Sequence, residues 1–450
     1  MNRPVKSTEG SETAMSRRTL LAGMAAAAVG VSATARAVTT KRRTSTTAPR
    51  TTKPAPAPTT GSWWADRNAG ALRQTITVSA GGFTRTDHPI ELDLNGGSTP
   101  IAPASVRVIE IDAGGQVVNA DVPHQFDRGV SPSLVFLLTG ATAASATRRY
   151  AVYFDVGATT IPAKPVTARV KLEENQADEG QDGFRVSTRG AAYSYQRKGG
   201  SFSSLVDKDG NDWLSYHPEP GAGPNGAGGA YRGMPNFHFP DGNFHPGFEV
   251  SDTEVLANGP LRVVLRSTST TGGSWAYETA FFPDFARSTV TKAASEYWFL
   301  YEGTPGGESG RGGVKAFKVL RADGEEYGHR DSWSTKFKDE AWVSFRSPGL
   351  SGPYGRSLFL AHNTTHKGFD SYYLAREDGS GVGADDLGSM TVFGFGRDNG
   401  KMSLSKDDLP NRFTFGLMEP TDATDAAAKV RGAYRDVSTT TGPIERRRAN

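Results

Sequence analysis

Cysteine is absent from all 450 residues. That excludes disulfides, thiolate-bound metal and a thiol nucleophile. Any stability outside the cytosol must then come from core burial or a metal. Also missing is an apolar run of about 20 residues, the length needed to cross a bilayer. There is no P-loop, and no Gly-x-Ser-x-Gly elbow of the kind that presents a serine nucleophile. Gly221-Ala222-Gly223-Pro224-Asn225-Gly226 has the spacing of a dinucleotide loop. No apolar strand leads into it, and Pro224 sits inside it, so the match is accidental.

Long stretches of helical periodicity are scarce too. What is abundant is Gly, at 53, and Pro, at 26, with aromatics at 10%. This composition favours short strands joined by turns over a helical bundle. The net charge of +3 hides an uneven distribution. Residues 1–61 hold ten Lys/Arg and two Asp/Glu, leaving 41 bases against 46 acids, a body of about −5. A negative body argues against nucleic acid as the partner.

Ser16-Arg17-Arg18-Thr19-Leu20-Leu21 opens an apolar run that continues to Ala28 and gives way to Ala35-Arg36-Ala37. A basic start, a short apolar run and an A-x-A site, in that order, predict a twin-arginine signal peptide over 1–37. The expected location is extracellular or at the cell surface, with the twin-arginine export machinery as a partner and no transmembrane segment. Residues 38–61 are Thr, Pro, Ala, Lys and Arg with almost nothing to bury, which predicts a disordered linker.

Residues 62–165 show period-2 runs, among them Ile90, Leu92 and Leu94, broken by Ala80-Gly81-Gly82 and Asn95-Gly96-Gly97. This predicts a small antiparallel β-sandwich. Trp63-Trp64, the Arg73 to Val78 strand, the Val122 to Asp127 segment and the Arg149 to Phe154 strand resemble the immunoglobulin-like modules that precede catalytic domains in secreted glycan-acting enzymes. Residues 166–437 carry strand-like runs at Tyr193 to Tyr195, Leu261 to Leu265, Tyr297 to Tyr301, Trp342 to Phe345, Leu358 to Leu360, Met390 to Phe395 and Phe413 to Leu417. Helical periodicity is confined to Asp422 to Tyr434. The size fits a large antiparallel β-supersandwich, so the predicted class is all-β with one C-terminal helix and a disordered tail over 438–450. A strand ending at Val206, an Asp209-Gly210 turn and Trp213 resemble a hairpin of galactose-mutarotase-like supersandwiches. That resemblance implies the fold of sugar epimerases and of the β-domains of polysaccharide lyases.

Chemistry concentrates in Gly221 to Glu249. Between Tyr231 and Glu249 stand three prolines and three glycines, which predicts a loop with little regular structure. It carries Tyr231, Arg232, Asn236, Phe237, His238, Asn243, Phe244 and His245. Aromatic faces stack on sugar rings, while His and Arg reach hydroxyls and carboxylates. The structural alternative is that the aromatics plug the end of the sandwich. His238, His245 and Glu249 match no zinc spacing, and no metal is assigned, though Ca²⁺ on loop carboxylates stays open. A charged cluster, Glu325 to Asp331 with Trp333, offers His329 and Arg330 or else is a solvated turn. His362 and His366 follow the Leu358 to Leu360 run. Alternation puts Tyr297, Phe299 and Tyr301 on one strand face and Trp298, Leu300 and Glu302 on the other.

Two catalytic schemes and one binding scheme follow. A polysaccharide lyase acting on a uronate-containing glycan needs a base, a carboxylate neutraliser and an acid. His238 or His245, Arg232 or Arg330, and Tyr231 or Tyr301 supply those types. Phe237, Phe244, Asn236, Asn243, Trp333, His329 and His366 are the candidate contacts to a polysaccharide or oligosaccharide. A glycoside hydrolase would instead draw two carboxylates from Glu249, Glu278, Glu302 and Glu326. The third scheme is a non-catalytic carbohydrate-binding or wall-associated protein.

Overall fold

Two nine-stranded antiparallel sheets, laid face to face, form the bulk of the chain. The computed structural model describes residues 63–216, 232–238, 247–309, 313–364, 366, 368–376, 389–398 and 400–447, with the backbone alone for His238, Arg376 and Ser389. The expected signal peptide, and the linker as far as Gly61, lie outside these.

The first large sheet runs Trp333–Thr335, Asp370–Arg376, Ser389–Phe395, Trp298–Gly303, Gly233–His238, Phe202–Asp207, Ala191–Gln196, Gln181–Ser187, Lys171–Asp178. The second runs Ser251–Asn258, Val263–Ser269, Ala276–Phe281, Ala286–Lys292, Asn411–Met418, Arg356–His362, Ala341–Ser347, Lys318–Arg321, Glu326–Gly328. Alternation along each strand sends one set of side chains into the shared core. Phe237, Phe299, Tyr301, Phe393 and Phe395 from the first sheet meet Tyr277, Val343, Phe345, Phe413 and Phe415 from the second. Phe299 stacks on Phe413 at 4.6 Å. Buried phenols find partners across the gap: Tyr195 Oη lies 2.6 Å from Ser267 Oγ, and Tyr297 accepts from Asn411 at 2.7 Å.

The hairpin expected around Asp209-Gly210 is present. Asp207 accepts backbone N–H bonds from Asp209 and Asn211 and the indole N–H of Trp213 at 3.2 Å, and it pairs with Arg356 at 2.6 Å. Gly221 to Glu249 departs from expectation. Gly233–His238 is a central strand pairing with Trp298–Gly303. Pro235 is tolerated because the register shifts between Gly233 and Asn236, where the ladder skips residues.

The N-terminal module is a sandwich of a five- and a three-stranded sheet around Ile76, Val108, Leu134, Phe136 and Tyr150. Its edge strand corrects the sequence reading. Ser438–Arg446, expected as a disordered tail, pairs antiparallel with Leu72–Ser79, and Arg73 forms an ion pair with Glu445. Three threonines and Gly442-Pro443 give this segment no apolar alternation, so its strand depends on a distant partner.

The Ala423–Tyr434 helix appears as expected. Asp422 caps it, accepting from Asp425 N at 2.8 Å. Its buried Ala426, Val430 and Tyr434 sit on Trp342, Phe359 and Phe285, on the outer face of the second sheet. Arg85 of the module closes the far end, donating to the carbonyls of Gly432 at 2.6 Å and Arg435 at 2.7 Å. A cation there opposes the negative end of the helix dipole.

The module docks beside the helix on the same face. Arg262, 1% exposed, pairs with Glu91 at 3.0 Å and Asp127 at 2.6 Å. The Gln125 amide accepts from the N–H groups of Leu261 and Arg262 and donates to the Arg262 carbonyl. Arg287 adds a second bridge to Glu91 at 2.8 Å. Removing one partner of a buried charge set strands the others. Arg262→Met should therefore cost about 3–5 kcal/mol of stability. Urea denaturation checks this, and an unchanged midpoint would contradict it.

Candidate functional site

With the module and helix both on the second sheet, the outer face of the first sheet is where polar and aromatic side chains gather. Register places them in rows. Tyr373, Val392 and Glu302 face one another across three strands, and Ser371, Gly394, Leu300 and Asn236 form the next row. His238 is opposite Trp298 in the row after that. Directly opposed residues share a face, so the His238 position belongs to the Trp298 and Glu302 face.

Arg397 ties the rows together. Its guanidinium donates to Tyr373 Oη at 3.0 Å and Ser371 Oγ at 3.4 Å. Its Cζ stands 4.7 Å from the Tyr373 ring centre and 5.7 Å from that of Trp298, within cation–π range. Gly394 makes room for it. A Cβ there would stand 2.7 Å from Arg397 Cβ and 2.6 Å from Leu300 Cδ2. Trp298, Tyr373 and Arg397 are each half-buried and reach the surface. Below them Glu302 is 6% exposed and accepts from Asn236 Nδ2 at 2.8 Å. Ala375, Met390 and Val392 make an apolar patch against Tyr373.

Burial raises the Tyr373 pKa, Glu302 pushes the same way, and Arg397 opposes them. Tyr373 is therefore a protonated phenol at neutral pH, able to give a proton to a developing oxyanion. The cluster offers an acid, a fixed cation and an aromatic surface.

The sequence-derived candidates divide. Asn236 and Glu302 belong to this face, as does the His238 position. Phe237 and Tyr301 point the other way, into the core. Tyr301 donates to the Trp213 carbonyl at 2.8 Å, and burial raises its pKa well above the usual tyrosine value, so it is no cleft acid. Arg232 is fully buried in an ion pair with Glu308 and also donates to the Ser215 carbonyl at 3.2 Å. Tyr231, Asn243, Phe244 and His245 lie outside the described residues.

Trp333 belongs to the far edge strand of the sheet, four strands from Gly233–His238, or roughly 19 Å at normal strand spacing, and His329 and Arg330 lie in the turn that leads to it from the edge strand Glu326–Gly328 of the second sheet. The His329 carbonyl accepts from Tyr372, and Trp333 covers the core beside Tyr372 and Phe393. His366 is at the end of the sandwich. Its Nδ1 accepts from Gly368 N at 3.1 Å, which leaves Nε2 to donate to Asp370 at 2.8 Å. Both nitrogens are engaged, and the ring holds a loop. Glu278 pairs with Arg266 and Glu326 with Arg346, both on the second sheet, and Glu249 is exposed. The carboxylates named for hydrolysis are thus dispersed. Among the described residues no group of three or more His, Asp or Glu could hold a metal ion. No described helix is long and apolar enough to cross a membrane.

Tyr373 and Arg397 were not singled out from the sequence. The local signal in the sequence is the pair of glycines in Gly394-Phe395-Gly396, at the end of the strand-like run. In the structure, Gly394 is the hollow and Gly396, at φ +71°, turns the chain toward Arg397.

No family model matches the sequence, and no curated protein does. Solved structures show a low-level likeness, including the two that follow. The protein designated HI1317 is 11% identical, with a TM-score of 0.33 over 55% of this chain and 99% of that one. A galactose mutarotase-like protein from Lactobacillus casei is 9% identical, with a TM-score of 0.34 over 52% of this chain and 99% of that one. At these scores neither likeness assigns an activity.

His362 gives the fold a measurable pH dependence. Burial, then the neighbouring His366, push it down to about 3 from 6.5. The unfolded chain takes up this proton near pH 6.5 while the folded chain refuses it. Stability is thus complete above 6.5 and falls as pH drops toward 3, by about 1.4 kcal/mol per unit. His362→Phe, which keeps the stacking on Phe413 at 4.6 Å, should flatten the slope. Denaturant midpoints at pH 7, 6, 5 and 4 measure it, and parallel slopes would contradict the assignment.

Proposed function

We propose that the chain is an exported polysaccharide lyase acting on a uronate-containing glycan, with its site on the outer face around Trp298, Tyr373 and Arg397. The supporting observation is the Arg397 guanidinium, which donates to the Tyr373 hydroxyl at 3.0 Å and lies within cation–π range of the Tyr373 and Trp298 rings. In β-elimination a base removes the proton α to the uronate carboxyl. That electron pair forms the new C=C bond, the adjacent C–O bond breaks, and the leaving oxygen takes a proton. Arg397 would neutralise the carboxylate as charge builds on it. Tyr373, kept protonated by its surroundings, would protonate the leaving oxygen. His238, in register with Trp298, is the base. Trp298 offers a ring face for the sugar.

Assays on uronate polysaccharides should release products with unsaturated-uronate absorbance. Arg397→Ala should lower the rate about 10²–10³-fold, and Tyr373→Phe and His238→Ala about 10²-fold or more each. Gly394→Ala, which displaces Arg397, should follow Arg397→Ala in direction. Saturated products would favour a hydrolase, and retention without any product a binding protein. Unsaturated product at full rate from Arg397→Ala would sink the assignment.

Export by the twin-arginine route rests on Arg17-Arg18 and the cysteine-free body. Replacing both arginines with lysine should leave the chain inside the cell. Normal release would argue for another route.

A further inference from the structure

A cavity lies away from that face, at the seam where the module meets the outer surface of the second sheet. It measures about 490 Å³, within the usual range for small-molecule sites. Its floor is a polar row. Glu278, Thr289 and Arg412 stand side by side on three adjacent strands. The walls come from the module and from residues 435–439.

Cations crowd this seam although the body as a whole is acidic. Arg262 and Arg287 share Glu91, and Arg412 has only a loose 3.6 Å pairing with Asp436. Glu278 is engaged by Arg266 at 2.6 Å. The Nε–H groups of Arg262 and Arg287 are buried and have no acceptor among the described residues. Arg262 is 1% exposed, and a buried donor left without an acceptor is unfavourable. His88, which also lines the cavity, has its pKa pushed down by burial first and then by Arg85 and Arg287. Among the described residues no aromatic side chain other than His88 lines the cavity, so recognition there would be by charge and hydroxyl contacts rather than ring stacking.

We propose that the seam cavity is a second ligand site that receives a carboxylate-bearing saccharide, with Arg412 and Arg287 on the carboxylate and Thr289, Thr291 and Glu278 on the hydroxyls. A guanidinium and a carboxylate form a charge-assisted pair, threonine hydroxyls donate to or accept from sugar hydroxyls, and the Glu278 carboxylate accepts from them. The site is separate from the outer-face cluster and does not depend on its activity.

The test uses the full chain carrying Arg397→Ala, so that the outer-face site cannot report. D-glucuronate is titrated in, with D-glucose as the uncharged control, and the His88 imidazole resonance is followed by NMR. The expected result is a saturable shift with glucuronate and none with glucose. Adding Arg412→Ala should weaken binding at least tenfold, and the isosteric Thr289→Val should weaken it while leaving the thermal midpoint unchanged. Absence of a His88 shift, an equal response to glucose, or binding insensitive to both substitutions would overturn the proposal. Unsaturated product at full rate from Arg397→Ala would instead count against the outer-face site alone.

Discussion

The buried charge set around Arg262 decides which surface of this protein is available. By joining Glu91 and Asp127 of the module to the second sheet, it commits that sheet's outer face to a seam. The Ala423–Tyr434 helix takes the neighbouring part of the same face, fixed at its end by Arg85. Both cover apolar surface that a free sheet would expose to water, including Leu261, Phe285 and Trp342. The chain then returns to the module, where Ser438–Arg446 completes the sheet begun by Leu72–Ser79. The remaining large face is the one carrying Trp298, Tyr373 and Arg397.

On that face the useful geometry comes from a side chain that is missing. Gly394 leaves a gap in a row otherwise filled by Ser371, Leu300 and Asn236, and the Arg397 stem occupies it. A guanidinium held by Trp298, Tyr373 and Ser371 is pre-organised, so less rotamer entropy is lost when it meets an anion. Glu302 below is screened from solvent and bonded to Asn236. It shapes the local field through its effect on Tyr373.

Local features were legible in the sequence. The helix followed from its 3.6-residue pattern, and the Asp209-Gly210 turn from its residue types. Period-2 alternation separated Trp298, Leu300 and Glu302 from Phe299 and Tyr301 correctly. The same alternation made Tyr301 a poor choice of acid, because its hydrophobic neighbours on that face mark the core side. What could not be read was strand order. Tyr373, Glu302 and Asn236 come together only because strands distant in the chain lie side by side in one sheet, with Ser389–Phe395 between those of Tyr373 and Glu302. The pairing of Ser438–Arg446 with the first strand is equally non-local. Its threonines carry no core-facing pattern, so burial gave no signal there.

A crystal structure with an acidic oligosaccharide tests the account most directly. The account predicts a uronate carboxylate on Arg397 and a sugar ring against Trp298 or Tyr373, over the Gly394 hollow. An oligosaccharide seated elsewhere, with Arg397 still bonded to Tyr373 and solvent above it, would contradict it.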